Sequence, residues 1–185
     1  MLDLLIELGN LKRLPRTGWL LRGVSNPESI ADHSYRVALI TLFLADELKA
    51  KGVEINVEKA LKIALLHDVG EARITDVPKT AQYYLDKGKA EKKAVMELLL
   101  SSPNPREYFK LWREYEEETT LEGRLVKFAD RLEMLIQAYE YEKAGFRNLE
   151  EFWGTLEKLR ESEFYVHFKE LVDGIEGLRK QNRLR

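Results

Sequence analysis

Ala60-Leu61-Lys62-Ile63-Ala64-Leu65-Leu66-His67-Asp68-Val69-Gly70 is the stretch on which the fold turns. Its first seven residues are apolar on nearly every face of a helix, so whatever follows them lies at or near a core. At that point the sequence sets an imidazole beside a carboxylate, and Val69-Gly70 then breaks the helical pattern. A buried carboxylate without a partner costs several kcal/mol or takes up a proton, so such a group is normally paired or bound to a metal. A cation beside His67 and Asp68 would meet that need.

Upstream, Ile30, Val37, Ile40, Leu44 and Leu48 recur at helical spacing, and His33 lies on their stripe, pointing inward. Downstream, Val126, Asp130 and Met134 share one side of a helix, on a less cleanly apolar face. His33, His67, Asp68 and Asp130 together make a nitrogen and oxygen set whose formal charge balances a divalent ion. The expected cofactor is therefore Mn, Co, Fe, Ni, Zn or Mg rather than Ca, which prefers all-oxygen cages. Such a set fills about four of roughly six octahedral positions, leaving room for water and a substrate oxygen, an arrangement suited to hydrolysis.

Taken singly, each of the four has an ordinary structural role. An inward His is commonly a hydrogen-bonded core residue, and His67 suits a helix C-terminus. Asp68 could belong to the turn at Val69-Gly70, and Asp130 with Lys127, Arg131 and Glu133 could form a charged helix face. Their intervals obey no short metal-binding rule such as His-Glu-x-x-His.

The order His33, His67-Asp68, Asp130 resembles the signature of the HD-domain metal-dependent phosphohydrolases. The surrounding words are similar to the 5'-deoxynucleotidase branch of that superfamily: Leu14-Pro15-Arg16-Thr17-Gly18-Trp19, Glu28-Ser29-Ile30-Ala31-Asp32-His33-Ser34, His67-Asp68-Val69-Gly70-Glu71-Ala72, Asp76-Val77-Pro78 and Leu125 through Glu133. The likeness runs from the first helix to about Gly145; beyond it the chain matches only in being helical. It implies an all-α HD-domain bundle and attack of a metal-activated water on a nucleotide phosphomonoester. It further implies that Glu71, one turn beyond Asp68, takes a proton from that water, and that Asp76 lies near the sugar or the leaving oxygen. Arg16 would orient the phosphate, and Trp19 would help to exclude a 2'-hydroxyl. The chemistry of the residues agrees, since a guanidinium fork fits phosphate and an indole makes a wall against a sugar or base. Lys127, one turn before Asp130, is a further candidate for neutralising phosphate.

Composition narrows the classes. At 185 residues with 44% hydrophobic content, the chain suffices for one buried core and is short for two, so residues 1–185 are read as one HD domain. Cysteine is absent, which removes thiolate ligands, disulfides and cysteine nucleophiles. A formal net charge of −2 gives no broad footprint for a nucleic-acid polymer, leaving a small-molecule nucleotide as the expected partner. No window is apolar enough for a membrane span, and the acidic, leucine-rich N-terminus lacks a secretion signal, so a cytoplasmic location is expected. Abundant Lys and Glu resemble the ion-pair-rich proteins of heat-adapted organisms.

Periodicity and punctuation predict helices over Leu2 to Leu11, Ile30 to Lys51, Val57 to Asp68, Thr80 to Leu85, Ala90 to Leu100, Arg106 to Glu118 and Thr120 to Ala144. Two more follow, Leu149 to Arg160 capped by Asn148, and Glu163 to Lys180. A loop spans Pro15 to Ser29, and no stretch alternates as a strand. His167 reads as ordinary packing. The apolar residues of 149–180, among them Phe152, Trp153, Leu156, Phe164 and Phe168, either cover the core or form a subunit interface, and with the family's habit they lead to an expected homodimer. Competing readings are an HD phosphohydrolase of another nucleotide phosphoester and a non-catalytic metal-binding helical module.

Overall fold

A computed structural model describes residues 1–183. Among them the chain is all-α: α1 (Leu2–Leu8), α2 (Thr17–Leu20), α3 (Ile30–Ala50), α4 (Val57–Leu66), α5 (Glu71–Ile74), α6 (Lys79–Gln82), α7 (Lys87–Leu99), α8 (Pro105–Glu116), α9 (Leu121–Lys143), α10 (Glu150–Trp153), α11 (Thr155–Arg160) and α12 (Tyr165–Arg183). The extended pairing is limited to an isolated antiparallel bridge between Pro15 and Ser29.

Local chemistry sets the boundaries that matter for the site. Ser29 starts α3 with a capping box: its hydroxyl accepts from the Asp32 amide at 3.1 Å while Asp32 accepts from the Ser29 amide at 2.9 Å. This fixes the first turn, which carries His33, and a good N-cap contributes about 1 kcal/mol. Asn56 caps α4 through the Lys59 amide and Thr120 caps α9 through the Gly123 amide. Gly52, at φ +84°, ends α3 in the left-handed conformation that suits glycine.

The main core lies where α3, α4 and α9 pack on one another, with Val37, Leu44, Leu48, Ile63, Leu125, Phe128, Leu132 and Leu135 buried between them. A smaller apolar cluster joins α1, α5, α7 and α8 through Leu4, Ala72, Val95, Leu98 and Trp112. Trp153, Leu156, Leu159, Phe164, Phe168 and Ile175 belong to the main core. The C-terminal apolar residues are thus mostly occupied within the chain, and they no longer argue for a second copy.

Several boundaries differ from expectation: α4 ends at Leu66 rather than Asp68, α6 covers Lys79–Gln82 rather than Thr80 to Leu85, and α7 starts at Lys87 rather than Ala90. The first helix stops at Leu8 and continues as a 3-10 turn, Gly9–Lys12. The loop from Pro15 to Ser29 contains the one-turn α2, its start held by Asp76 rather than by a cap residue of its own. The helix expected over 149–160 breaks at Gly154 into α10 and α11. Asn148 does not cap it; the residue has φ +65°, and Leu149 takes the N-cap position.

Candidate metal centre

The packing of α3, α4 and α9 brings four side chains far apart in sequence to one point. His33 comes from the first turn of α3, His67 and Asp68 from the end of α4, and Asp130 from the middle of α9. His33 Nε2 lies 3.2 Å from Asp130 Oδ1 and 3.7 Å from Asp68 Oδ2. His67 Nε2 lies 3.3 Å from Asp68 Oδ2, and the two imidazole centroids are 5.5 Å apart. His33, His67 and Asp130 each offer one ligand atom within 4.8 Å of the others.

Both imidazoles are fully buried, and neither Nε2 atom has a well-formed hydrogen bond. The opposite nitrogens do: His67 Nδ1 donates to the Ala64 carbonyl at 2.7 Å, and His33 Nδ1 meets Glu133 Oε2 at 2.6 Å. A buried polar atom left unpaired costs on the order of 1–3 kcal/mol, so two of them aimed at the same carboxylates call for a shared ligand. Electrostatics point the same way. Burial and Arg16 oppose a charge on His33, yet Asp130 and Glu133 outweigh them and push the imidazole up to about 10. Asp68 and Asp130 are held low despite burial, Asp68 by His67 and Arg16 and Asp130 chiefly by His33. The cluster thus attracts positive charge, and a divalent cation fits its donor set.

The centre forms part of the floor of a cleft of about 580 Å³ lined by Arg16, Trp19, Glu71, Asp76, Lys127 and Tyr115, among others. Arg16 Nη1 lies 3.3 Å from Asp68 Oδ2. Glu71 is buried, with Oε1 3.3 Å from Lys87 Nζ and Oε2 without a hydrogen-bond partner. Burial, then the charge of Asp68, push this carboxyl up to about 9. Asp76 Oδ2 accepts from the Thr17 amide at 2.6 Å and the Thr17 hydroxyl at 3.0 Å, so one of its oxygens holds the loop that carries Arg16.

A family model described as HD domain matches residues 8–171. The chain belongs to the HD-domain family. This HD protein is 38% identical over 162 residues to the 5'-deoxynucleotidase HDDC2 of Danio rerio, covering 85% of this chain and 78% of that one. It is 44% identical over 140 residues to the 5'-deoxynucleotidase HDDC2 of Dictyostelium discoideum, covering 73% of this chain and 74% of the other. A solved structure of a conserved hypothetical protein from Pyrococcus furiosus superposes with a TM-score of 0.88 at 56% identity, covering 95% of this chain and 99% of that chain. With its fold and clustered His, Asp and Glu side chains, this HD protein is a metal-binding phosphohydrolase related to the 5'-deoxynucleotidases.

Two expected binding residues are placed less freely than the sequence suggested. Trp19 reaches the cleft wall but is 2% exposed, packed on Phe152 and Tyr141, and its Nε1–H is given to Glu28 at 3.0 Å. Almost none of its ring is open to the cleft, and its N–H is already taken. Lys127 lines the cleft with its ammonium 3.5 Å from the Tyr115 ring centroid, a cation–π contact.

Sequence reasoning missed Tyr115, Lys87, Glu91 and Glu28. Tyr115 donates its hydroxyl hydrogen to Asp130 Oδ2 at 2.9 Å. Lys87 stands between Glu71 and the buried Glu91, at 3.3 and 3.6 Å. Glu28 receives Trp19, and its backbone carbonyl accepts from the Arg16 amide at 3.0 Å. Tyr115 lies on α8 and Lys87 and Glu91 on α7, at sequence distances from the four clustered residues that no local pattern spans; Glu28 stands in the motif before His33, but its partners Trp19 and Arg16 reach it across the loop. Glu133, read as part of a charged face, is fully buried against His33.

Proposed function

We propose that this protein hydrolyses deoxyribonucleoside 5'-monophosphates to nucleoside and inorganic phosphate, with His33, His67, Asp68 and Asp130 holding a divalent cation. The observation that carries the reading is the pair of buried, unpartnered Nε2 atoms beside two carboxylates, opening onto a cleft that also holds a guanidinium. When bound, such a cation lowers the pKa of a coordinated water and polarises a phosphoryl oxygen.

The chain's own residues supply the rest. Arg16 sits beside Asp68 with a planar donor fork for two phosphate oxygens, and Asp76 fixes its loop through Thr17. Glu71 is placed to accept the proton of the attacking water through its free Oε2; burial raises the proton affinity of this carboxyl, and the charge of a bound cation would return it to the ionised form that the role needs. Trp19 and the Phe152 ring packed on it together wall the side of the cleft toward the sugar. The names of the HDDC2 relatives support the deoxynucleotide substrate. We also propose that the protein acts as a homodimer, as the family resemblance implies.

The test is phosphate release from matched deoxyribo- and ribonucleoside 5'-monophosphates, using chelator-stripped protein refilled separately with Mn, Co, Zn and Mg. Metal-dependent release with a strong deoxy preference is expected. No release from any monophosphate with metal bound would redirect the reading to another phosphoester.

A further inference from the structure

His33 is gripped at both ring nitrogens by one helix. Asp130 and Glu133 stand one turn apart on α9, an axial rise of about 4.5 Å, and they meet opposite edges of the same imidazole. Asp130 Oδ1 lies 3.2 Å from Nε2, and Glu133 Oε2 lies 2.6 Å from Nδ1. The Glu133 side chain is fully buried, so neither of its oxygens reaches solvent. Its second oxygen, Oε1, receives Arg36 through Nε at 2.8 Å and Nη2 at 2.7 Å. Arg36 sits one turn after His33 on α3, and it continues outward to Gln137 and to Glu140 at 2.8 Å. α3 and α9 thus interlock through a polar row that runs from the buried His33 outward to the exposed Glu140.

A carboxylate only accepts hydrogen bonds, and Arg36 keeps this one ionised by neutralising it without occupying the oxygen that faces His33. The hydrogen of the short contact is therefore on Nδ1. That assignment leaves Nε2, aimed at Asp130, Asp68 and His67, as the nitrogen that gives up its proton and offers a lone pair when a cation binds. His67 reaches the same state by a cheaper route, through the Ala64 carbonyl on its own helix. A buried ionised Glu with a dedicated Arg is a costly way to satisfy one Nδ1–H, and a neutral acceptor would serve packing equally well. The extra charge raises the basicity of Nε2 as a donor to a cation.

We propose that Glu133 is a positioning residue for the metal centre: it locks His33 in the Nδ1–H tautomer and, with Arg36, sets how strongly Nε2 binds the cation. This rests on the reading of His33, His67, Asp68 and Asp130 as the ligand set.

The test uses zinc as the probe. The chain has three histidines, so nitrogen-15 spectra of the imidazoles of the zinc-loaded wild-type protein are simple, with His167 as an internal reference. The expected result is coordination of His33 and His67 through Nε2, with a downfield, slowly exchanging Nδ1–H on His33. Coordination of His33 through Nδ1, or an Nδ1–H exchanging as fast as that of His167, would overturn the proposal. Glu133→Gln keeps the volume and removes the charge. Its zinc affinity, measured against a chromophoric chelator, should fall about 10–100-fold while the metal-free helical content is retained; unchanged affinity in a folded variant overturns the proposal. Should that variant fail to fold, the wild-type spectrum decides. If wild-type zinc leaves both buried imidazoles free, the ligand set itself is wrong, a result distinct from a misassigned Glu133.

Discussion

Tyr115 holds Asp130 by its outer oxygen: the buried hydroxyl donates to Oδ2 at 2.9 Å, and Oδ1 is left facing His33 Nε2 at 3.2 Å. Tyr115→Phe removes one hydrogen bond to a charged acceptor, worth about 1.5–3 kcal/mol. The expected outcome is a lower melting temperature together with metal affinity weakened on the order of tenfold. Calorimetry and a chelator competition would measure both, and a change in stability without a change in affinity would remove Tyr115 from the metal centre.

Arg16→Ala should separate binding from turnover. The guanidinium contacts Asp68 but supplies none of the four proposed ligands, so bound metal measured by elemental analysis should persist. Phosphate release should fall by about a hundredfold or more, the usual scale for losing a donor to developing charge. Unaltered kinetics would exclude Arg16 from contact with the phosphate.

Trp19→Phe keeps the ring wall and deletes the Nε1–H that Glu28 receives. Glu28 is half-buried, so the lost bond costs about 1 kcal/mol. If the indole faces the sugar, the ratio of deoxyribo- to ribonucleotide turnover should also narrow. Competition between dAMP and AMP would read that ratio, and an unchanged value would confine Trp19 to a structural role.

Glu91 makes stability depend on pH in a defined direction. Burial, opposed by Lys87, pushes its carboxyl up to about 7. The folded chain therefore keeps a proton that the unfolded chain releases near 4.5, the ordinary value. Stability from this group is highest below that value, declines as pH rises toward 7, and is flat beyond. Glu91→Gln removes the penalty, so the variant should gain up to roughly 3 kcal/mol at pH 8 and little at pH 4.5. Melting curves at the two pH values check this, and an equal shift at both would refute the assignment.

Gly123→Ala and Gly174→Ala should move stability in opposite directions. A Cβ on Gly123 would lie 2.2 Å from the Glu114 carbonyl oxygen, so α8 and α9 would have to part beside Tyr115. A loss of about 1–3 kcal/mol or more is expected. Gly174, in the middle of α12, has open space, and alanine there should stabilise by up to about 1 kcal/mol. Chemical denaturation of the two variants provides the comparison.

Much of this site was legible because chemistry and period coincided. His33 on the apolar stripe of α3, and His67-Asp68 after the apolar run of α4, placed polar groups where burial was already certain, and the structure buries both imidazoles completely. The long helices came from the same signal, α3 and α9 matching their expected spans within a residue or two. Short turns were less readable. α2 owes its start to Asp76, 59 residues away, and Gly154 divides what periodicity joined. Glu133 was grouped with Lys127, Asp130 and Arg131 as a possible charged face because mixed charges at that spacing look solvated; its place one turn from Asp130, facing an Arg one turn from His33, emerges only when α3 and α9 are laid together.

The two sides of the cleft rest on unequal foundations. Its floor hangs from α3, α4 and α9, the helices around which the main core closes. Across from it, the segment after Asp76 holds the single turn of α6 and the solvent-facing Tyr83 and Tyr84. Amide protons at His33 and Asp130 should wait for global unfolding before trading with deuterium, while those of 79–86 trade through local openings. A nucleotide would therefore meet a rigid anvil on one side and a yielding wall on the other, and entry and departure would be timed by the wall.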